Sequence, residues 1–250
     1  MDRYEQSGLL AFQFEELSRY PIVHLVFSRY GGISPANFAS LNVGASVGDH
    51  LENIRENTRR ICEGIGVDRI LTINQVHADT VFMAKDVPLT PPEADAVITD
   101  VTMLPIMVKC ADCQAIIIYD PSNHALGMIH CGWRGNKLNL PNKVVRKMSE
   151  KYGSKPEELV VAIGPSLGVC CAEYRNWREV FPDFFLKFRV NSNFFDLKAI
   201  TKWQLITAGV LASNIFDSKI CTSCTTQLFY SYRKENKTGR FPVIAYLSPK

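Results

Sequence analysis

The stretch "QAIIIYDPSNHALGMIHCGWRGN", residues 114–136, decides the fold of this 250-residue chain. It contains two apolar runs, 114–120 and 125–130, whose length and β-branched residues are typical of strands buried on both faces. The second run ends at His130, and Cys131 and "GWRGN" follow it directly. A buried strand that ends in metal-binding side chains, beside an arginine and two glycines, predicts a functional site at this end of the strand.

Similar runs recur along the chain, and three segments carry helical spacing. The further strands are predicted at 21–28, 80–84, 95–100, 104–109, 159–164 and 241–247. The helices are predicted at 51–64, 136–152 and about 197–212, with Asp196 as the N-cap of the last and Gly153 ending the second. Because strands outnumber helices and many follow one another directly, we expect an α/β protein of mixed α+β layers, a mixed sheet flanked by helices. The whole chain, 1–250, is predicted to form a single domain.

The composition limits the classes of function. With 46% hydrophobic and 10% aromatic residues, the chain can bury a substantial core. A net charge of +3 is too small to indicate a nucleic-acid partner. No apolar run is long enough to span a membrane, and the N-terminus has no signal-peptide pattern. We therefore expect a cytoplasmic protein without nucleic-acid or membrane partners, as a monomer or homodimer.

The eight cysteines do not indicate a disulfide framework in an intracellular chain of this size. Two C-x-x-C pairs, Cys110/Cys113 and Cys221/Cys224, lie more than a hundred residues apart. A zinc ribbon places its second pair about 15–20 residues after the first, so a structural zinc site built from these two pairs is not expected. The simplest interpretation of three others is as small buried hydrophobic residues: Cys62, Cys170 and Cys171.

Three metal-binding side chains lie at predicted strand ends: His77, Cys113 and His130. Two imidazoles and one thiolate form a ligand set suited to zinc, and three protein ligands leave the fourth position open for catalysis. A water bound there has a pKa of about 7 and becomes a usable nucleophile. The alternative is that each histidine is an ordinary polar residue near a strand end, which is our interpretation of His24, His50 and His124.

Charged residues nearby have two interpretations each. Arg134, beside a predicted helix start, is a candidate for binding an anion, or else Trp133 fills the core and Arg134 pairs with a carboxylate. Each of three acidic residues near strand ends is a candidate to orient a metal-bound imidazole, to act as general base or to cap a turn: Asp79, Asp95 and Asp112. "IGPSLGVCC", residues 163–171, lacks the Lys-Ser/Thr that a phosphate-binding P-loop requires.

Several motifs, taken together, resemble those of a known family: "SRYGGIS", "SLNVGASVGD", "QVH", "ADAVITD", "CADCQAI", "HCGWRG", "IGPSLGVCC" and "CTSCTTQLFYSYR…TGR". They are similar to motifs of the laccase-domain family, which is named for multicopper polyphenol oxidoreductases. Its members are mostly regarded as purine nucleoside phosphorylase-like enzymes. The motifs follow in order from about residue 26 to residue 241 and thus cover nearly the whole chain.

The resemblance implies one zinc ion, with copper as the other possible metal, bound by His77, Cys113 and His130. It also implies phosphorolysis of adenosine, inosine and 5′-methylthioadenosine, deamination of adenosine, and small-molecule partners, namely a nucleoside and phosphate. Candidates for binding phosphate or ribose, in motifs that match, are Arg29, Asn42 and Arg134. The chain departs from the family at Asn57-Thr58, where relatives usually have Asn-Arg. Arg59 follows one place later, outside the matching position.

Three other functions are compatible with parts of the pattern. A copper oxidase of phenols fits the family's older name, but five histidines and no H-x-H pair cannot build the required histidine-rich cluster. A hydrolase that edits cell-wall precursors would also use a metal-activated water. A structural metal site in a binding module is the non-enzymatic alternative.

Overall fold

Two six-stranded mixed sheets form the centre of the molecule, which a computed structural model describes over residues 1–250. The strands are β1 Asp2–Gln6, β2 Leu9–Gln13, β3 Ile22–Phe27, β4 Leu71–Thr72, β5 Val81–Met83, β6 Ala96–Thr99, β7 Ile106–Cys110, β8 Gln114–Asp120, β9 Ala125–Cys131, β10 Val160–Ile163, β11 Arg189–Asn191, β12 Phe194–Phe195, β13 Ile215–Asp217 and β14 Phe241–Leu247. The helices are α1 Leu51–Ile65, α2 Trp133–Lys137, α3 Leu140–Tyr152, α4 Trp177–Val180, α5 Leu197–Thr207 and α6 Tyr232–Glu235.

The first sheet has the order β1-β2-β3-β14-β7-β4 and the second the order β13-β10-β8-β9-β6-β5. Most neighbouring strands are antiparallel, and the pairs β4–β7, β5–β6 and β10–β13 are parallel. The strands β11 and β12 form a separate small hairpin. This arrangement confirms the predicted mixed α+β layers, with the strands divided between two sheets.

The two sheets pack face to face and each carries helices on its outer face. Along β8, Ile117 and Tyr119 point into the core between the sheets, whereas Ile116 and Ile118 pack against the helical layer that includes Val144 of α3. The first sheet is covered on its outer side by α1. Because successive side chains of a strand point to opposite faces, a strand inside this sandwich is apolar at every position. That requirement explains the uninterrupted apolar runs at 114–120 and 125–131.

The predicted helices occur, with changed boundaries. The segment 136–152 divides into α2 and α3, because Asn139 adopts a left-handed conformation between them. The last helix ends at Thr207 and not near 212. Asp196 caps that helix by accepting a 2.9 Å hydrogen bond from the Ala199 N–H, and Gly153 ends α3 in the left-handed region, both as predicted. The predicted strands all occur, and six strands were not predicted: β1 and β2 at one side of the first sheet, the short strands β4 and β13, and β11 and β12 of the separate hairpin.

The hairpin of β8 and β9 places the candidate site. Its register pairs Gln114 with Cys131 and Ala115 with His130, so the start of β8 lies beside the end of β9. Cys113, immediately before β8, is thereby brought next to His130. None of the helices has the length and apolar character that crossing a membrane would need.

Candidate metal centre

His77, Cys113 and His130 converge at one end of the strands of the second sheet. Their ligand atoms lie within 4.8 Å of one another, and the two imidazole rings meet nearly edge to face with centroids 4.9 Å apart. His130 is buried, Cys113 is half-buried and His77 is exposed. The cluster therefore has an inner and an outer side, so one face remains open to a small molecule. Three N and S ligands with an open face are the arrangement of a catalytic zinc site.

Asp95 orients the inner histidine. Nδ1 of His130 donates a 2.8 Å hydrogen bond to the Asp95 carboxylate, which leaves Nε2 free to bind a metal. The other carboxylate oxygen accepts from the backbone N–H of Ala78 at 2.7 Å and of Val76 at 3.2 Å. These bonds hold the loop around His77, which has a positive φ of 59°. The Asp95 carboxylate thus positions both imidazoles. Orienting an imidazole is the first of the three roles that the sequence left open for Asp95.

Gly132 makes the approach of Cys113 possible. A β-carbon at position 132 would lie 2.7 Å from the Cys113 sulfur and 3.9 Å from Cδ2 of His77. Gly135 fills a similar role one turn later, where a β-carbon would lie 3.0 Å from the sulfur of Cys131. The two glycines of "GWRG" are therefore explained by close packing against cysteine side chains.

The electrostatics of the cluster favour a thiolate. Burial raises the pKa of the Cys113 thiol, but the charge of His130 and hydrogen bonds from both histidines outweigh it and lower the pKa to about 6. Burial lowers the pKa of His130, and the Cys113 thiolate together with Asp95 raises it to about 9. Cys113 is consequently in the form that binds metals at neutral pH.

Two of the predicted phosphate-binding residues have protein partners. Arg29 donates to the Glu235 carboxylate and to the carbonyl oxygens of Thr226 and Ala39, at 2.8–2.9 Å. The side-chain amide of Asn42 donates to Asp49, and its oxygen accepts from the N–H of Gly44 and of Arg240. Both side chains belong to a hydrogen-bonded network next to the "TGR" segment, and their roles toward substrate stay predictions.

The structural alternative for Trp133 and Arg134 holds only in part, and the binding of an anion by Arg134 stays a prediction. Trp133 is half-buried against Phe181, and the guanidinium of Arg134 lies 4.4 Å from the centroid of the Trp133 ring. Arg134 is exposed and pairs with no carboxylate. Arg134 is the second residue of α2, whose N-cap is Gly132.

A cation that ligand type and spacing did not reveal lies close to the cluster. Arg240 is half-buried without a carboxylate partner, and its side-chain hydrogen bonds go to the carbonyl oxygens of Thr238 and Gly239. Burial lowers its pKa, and the negative charges of Cys113 and Asp112 are near enough to oppose that effect. The only sequence signal for this residue was its place in the "TGR" motif.

Most of the remaining candidates have protein partners away from the metal cluster. Asp79 pairs with Lys143 at the surface. Asp112 accepts from the hydroxyls of Thr222 and Ser231 at 2.6 and 2.7 Å and from the Arg233 N–H at 2.6 Å. The other three histidines lie outside the cluster, and Arg59 forms ion pairs with Glu56 and Glu63 on the exposed side of α1.

The interpretation of Cys170 and Cys171 as buried hydrophobic residues is wrong. Cys170 is exposed and Cys171 is half-buried, and both lie beside Cys221 and Cys224. Cys62 is half-buried on α1. The expectation that the two C-x-x-C pairs do not share a site holds, because Cys110 lies in the core.

Comparison with known proteins agrees with these motifs. The family model described as multi-copper polyphenol oxidoreductase laccase matches residues 23–248. A protein named purine nucleoside phosphorylase YlmD, from Geobacillus stearothermophilus, is 31% identical over 242 residues, covering 85% of each chain. A protein from Pseudomonas aeruginosa, also named a purine nucleoside phosphorylase, is 32% identical over 231 residues, covering 89% of this chain and 92% of its own.

The fold is shared with solved structures. The crystal structure of YlmD from Geobacillus stearothermophilus superposes with a TM-score of 0.87 at 29% identity over 98% of both chains. The Bacillus licheniformis protein YfiH gives a TM-score of 0.86 at 26% identity over 97% of both chains.

Proposed function

The chain belongs to the multi-copper polyphenol oxidoreductase laccase family, and we propose that it is a zinc-dependent purine nucleoside phosphorylase that also deaminates adenosine. The relatives' names support the phosphorylase activity. The observation that carries the metal-dependent part is the convergence of His77, Cys113 and His130 within 4.8 Å, with Asp95 behind them.

The donor set fits zinc. Two imidazole nitrogens and a thiolate are ligands that zinc prefers, and a carboxylate such as that of Asp95 is the usual partner of a zinc-bound histidine. When bound at this site, zinc supplies activation of water and polarisation of substrate groups. The chain's own contribution is to hold three ligands rigidly at the ends of strands and to leave the side of His77 open.

Phosphate binding is assigned to cations at the rim of this site. Arg240 has no carboxylate partner and has free donor capacity on Nη2. Guanidinium groups bind phosphate oxygens by paired, charge-assisted hydrogen bonds. Asn42 positions Arg240 by accepting a 2.8 Å hydrogen bond from its backbone N–H, which gives the predicted Asn42 an indirect part in anion binding. Arg134, in the first turn of α2, supplies a second positive charge.

Aromatic side chains suit a purine ring. Trp133 contacts Phe181, and Tyr174 packs on the same ring with centroids 4.8 Å apart. Burial raises the pKa of the Tyr174 hydroxyl, and the charge of Cys113 acts in the same direction, so Tyr174 lies near the metal cluster and stays neutral. Flat apolar faces beside polar groups favour stacking of a heteroaromatic base.

The test is product analysis with purified, zinc-loaded protein. Adenosine with phosphate should yield adenine and ribose 1-phosphate, and adenosine without phosphate should yield inosine. The variant His77→Ala should lose both reactions. The proposal is overturned if fully zinc-loaded protein converts none of the three nucleosides adenosine, inosine and 5′-methylthioadenosine. Hydrolysis of a cell-wall precursor then becomes the next activity to assay.

A further inference from the structure

A second cluster of sulfur ligands lies on two surface loops. Cys170 and Cys171 follow β10, Cys221 is the N-cap of a short 3₁₀ turn at 222–224, and Cys224 is the last residue of that turn. The four sulfur atoms all lie within 4.8 Å of one another, and the Cys224 sulfur is 3.6 Å from that of Cys170 and 3.5 Å from that of Cys171. All four are free thiols, and neither histidine of the candidate metal centre belongs to this cluster.

The spacing matches one tetrahedral ion. Zinc–sulfur bonds of about 2.3 Å place the ligands of a tetrahedron about 3.8 Å apart. The 3.5 and 3.6 Å separations lie close to that value. A cluster of several iron atoms would need its cysteines farther apart than the 4.8 Å limit observed here, since the metal atoms lie between them.

The backbone around the sulfurs is arranged as a binding site. The N–H of Gly168 donates a 3.2 Å hydrogen bond to the Cys221 sulfur, which stabilises a thiolate. A β-carbon at Gly168 would lie 2.8 Å from Cβ of Cys221 and 3.3 Å from the Cys170 sulfur, so only glycine permits this approach. The backbone of Ser166 joins the loops by accepting from the Thr222 N–H at 3.1 Å and donating to the Ile220 carbonyl at 3.3 Å.

We propose that Cys170, Cys171, Cys221 and Cys224 bind a single structural zinc ion. Four thiolates complete the tetrahedron, so this site is closed, unlike the cluster around His77. Four thiolates around a divalent ion carry a net negative charge, and Arg233 lies next to them, donating to the carbonyl oxygens of Cys171 and Glu173 at 2.9 and 2.7 Å. The site is hard to recognise in the sequence, because two of its ligands form an adjacent Cys-Cys and the other two a distant C-x-x-C.

The ion would cross-link the loops that form one wall of the candidate active site. Thr222, between two of the cysteines, donates to Asp112, and Asp112 also accepts from Ser231 and the Arg233 N–H. Asp112 directly precedes Cys113. A zinc ion at the four cysteines therefore holds the segment that presents the thiolate of the first site, without touching substrate.

Metal counting and X-ray absorption spectroscopy test this inference independently of nucleoside activity. Reduced wild-type protein purified with zinc should hold about two zinc ions per chain. The variant His77→Ala should keep about one, whose absorption spectrum shows four sulfur neighbours at about 2.3 Å. The double variant Cys170→Ser/Cys224→Ser should also keep about one, now with mixed nitrogen and sulfur neighbours. Cys62→Ser, on α1, is the matched control and should keep both.

The wild-type and His77→Ala measurements do not depend on whether the cysteine variant folds. If reduced wild-type protein binds only one zinc ion and His77→Ala binds none, the second site does not exist. The second site is equally excluded if thiol titration shows a disulfide among the four cysteines and the reduced protein still takes up no second ion.

Discussion

Asp95 holds Nδ1 of His130 at 2.8 Å from one carboxylate oxygen while the other oxygen binds the backbone on both sides of His77. The two imidazoles of the candidate metal centre thus share one anchor. Burial opposes ionisation of Asp95, but hydrogen bonds from His130 and Ala78 lower its pKa. The carboxylate is therefore charged at neutral pH and fixes which ring nitrogen of His130 is free to face the candidate metal centre.

The substitution Asp95→Asn should weaken zinc binding at the first site by roughly 10–100-fold, because an amide orients and polarises the imidazole less strongly. Chelator competition measures the affinity. Asp79→Asn, which removes only a surface partner of Lys143, is the control and should bind zinc normally. Equal affinities in the two variants would show that Asp95 has no such role.

The substitution Gly132→Ala should abolish zinc binding at the first site, since its methyl group would lie 2.7 Å from the Cys113 sulfur. Gly135→Ala places a methyl group 3.0 Å from the sulfur of Cys131, which is not a ligand, and should keep the metal. Elemental analysis measures the zinc content of both proteins. If both variants retain zinc, the close approach of Gly132 to the Cys113 sulfur is not required for zinc binding.

Zinc binding at the first site should release a proton at pH 7. Cys113, with a pKa of about 6, is already a thiolate, whereas His130, with a pKa of about 9, must lose its proton to coordinate. Affinity should therefore fall as the pH drops, and more steeply below about 6, where Cys113 is protonated too. Calorimetry in buffers of different ionisation enthalpy measures the protons, and a buffer-independent enthalpy would contradict this prediction.

Protonation of His24 should make the fold less stable in mild acid. Burial lowers its pKa from 6.5 to about 4, and its Nε2 accepts a 2.8 Å hydrogen bond from the Phe14 N–H, which requires the neutral ring. Because the unfolded chain binds this proton first, the free energy of unfolding falls as the pH decreases from about 6.5 to about 4. At 1.36 kcal/mol per pKa unit, the loss amounts to roughly 3 kcal/mol.

Denaturant unfolding at several pH values measures that loss. His24→Gln keeps a hydrogen-bond acceptor but cannot titrate, so its stability should change less between pH 7 and pH 4.5. His50→Gln, at the exposed start of α1, should behave like the wild type. Parallel pH profiles for His24→Gln and the wild type would exclude His24 as the source.

Arg240→Gln should raise the KM for phosphate by about 10–100-fold, the loss expected for a charge-assisted hydrogen bond of about 1.5–3 kcal/mol. Zinc content should not change, because Arg240 binds no metal. Arg240→Lys should recover part of the affinity, and Arg146→Gln, an exposed arginine of α3, should leave the KM as it was. If Arg240→Gln leaves the KM for phosphate unchanged, phosphate is bound by another cation and not by Arg240.

The hydrophobic pattern of the sequence predicted strands well where every residue of the strand is buried. The runs 114–120 and 241–247 coincide with β8 and β14, because strands between two packed layers must be apolar at every position. Strands such as β1 and β13 were missed, since β1 is mostly exposed, β13 is short, and neither carries such a run. The break between α2 and α3 depends on the left-handed Asn139, which helical spacing does not reveal.

The sequence by itself determined the candidate ligands: His77, Cys113 and His130 were predicted by ligand type and by their places at strand ends, and the family resemblance implied the same three. Only the tertiary structure decided that they meet, that Asp95 and not Asp79 or Asp112 orients His130, and that Cys170 and Cys171 join Cys221 and Cys224. Periodicity and ligand type are local properties that a short window of sequence displays. Proximity between distant segments arises from strand register and the packing of two sheets, which no single window contains.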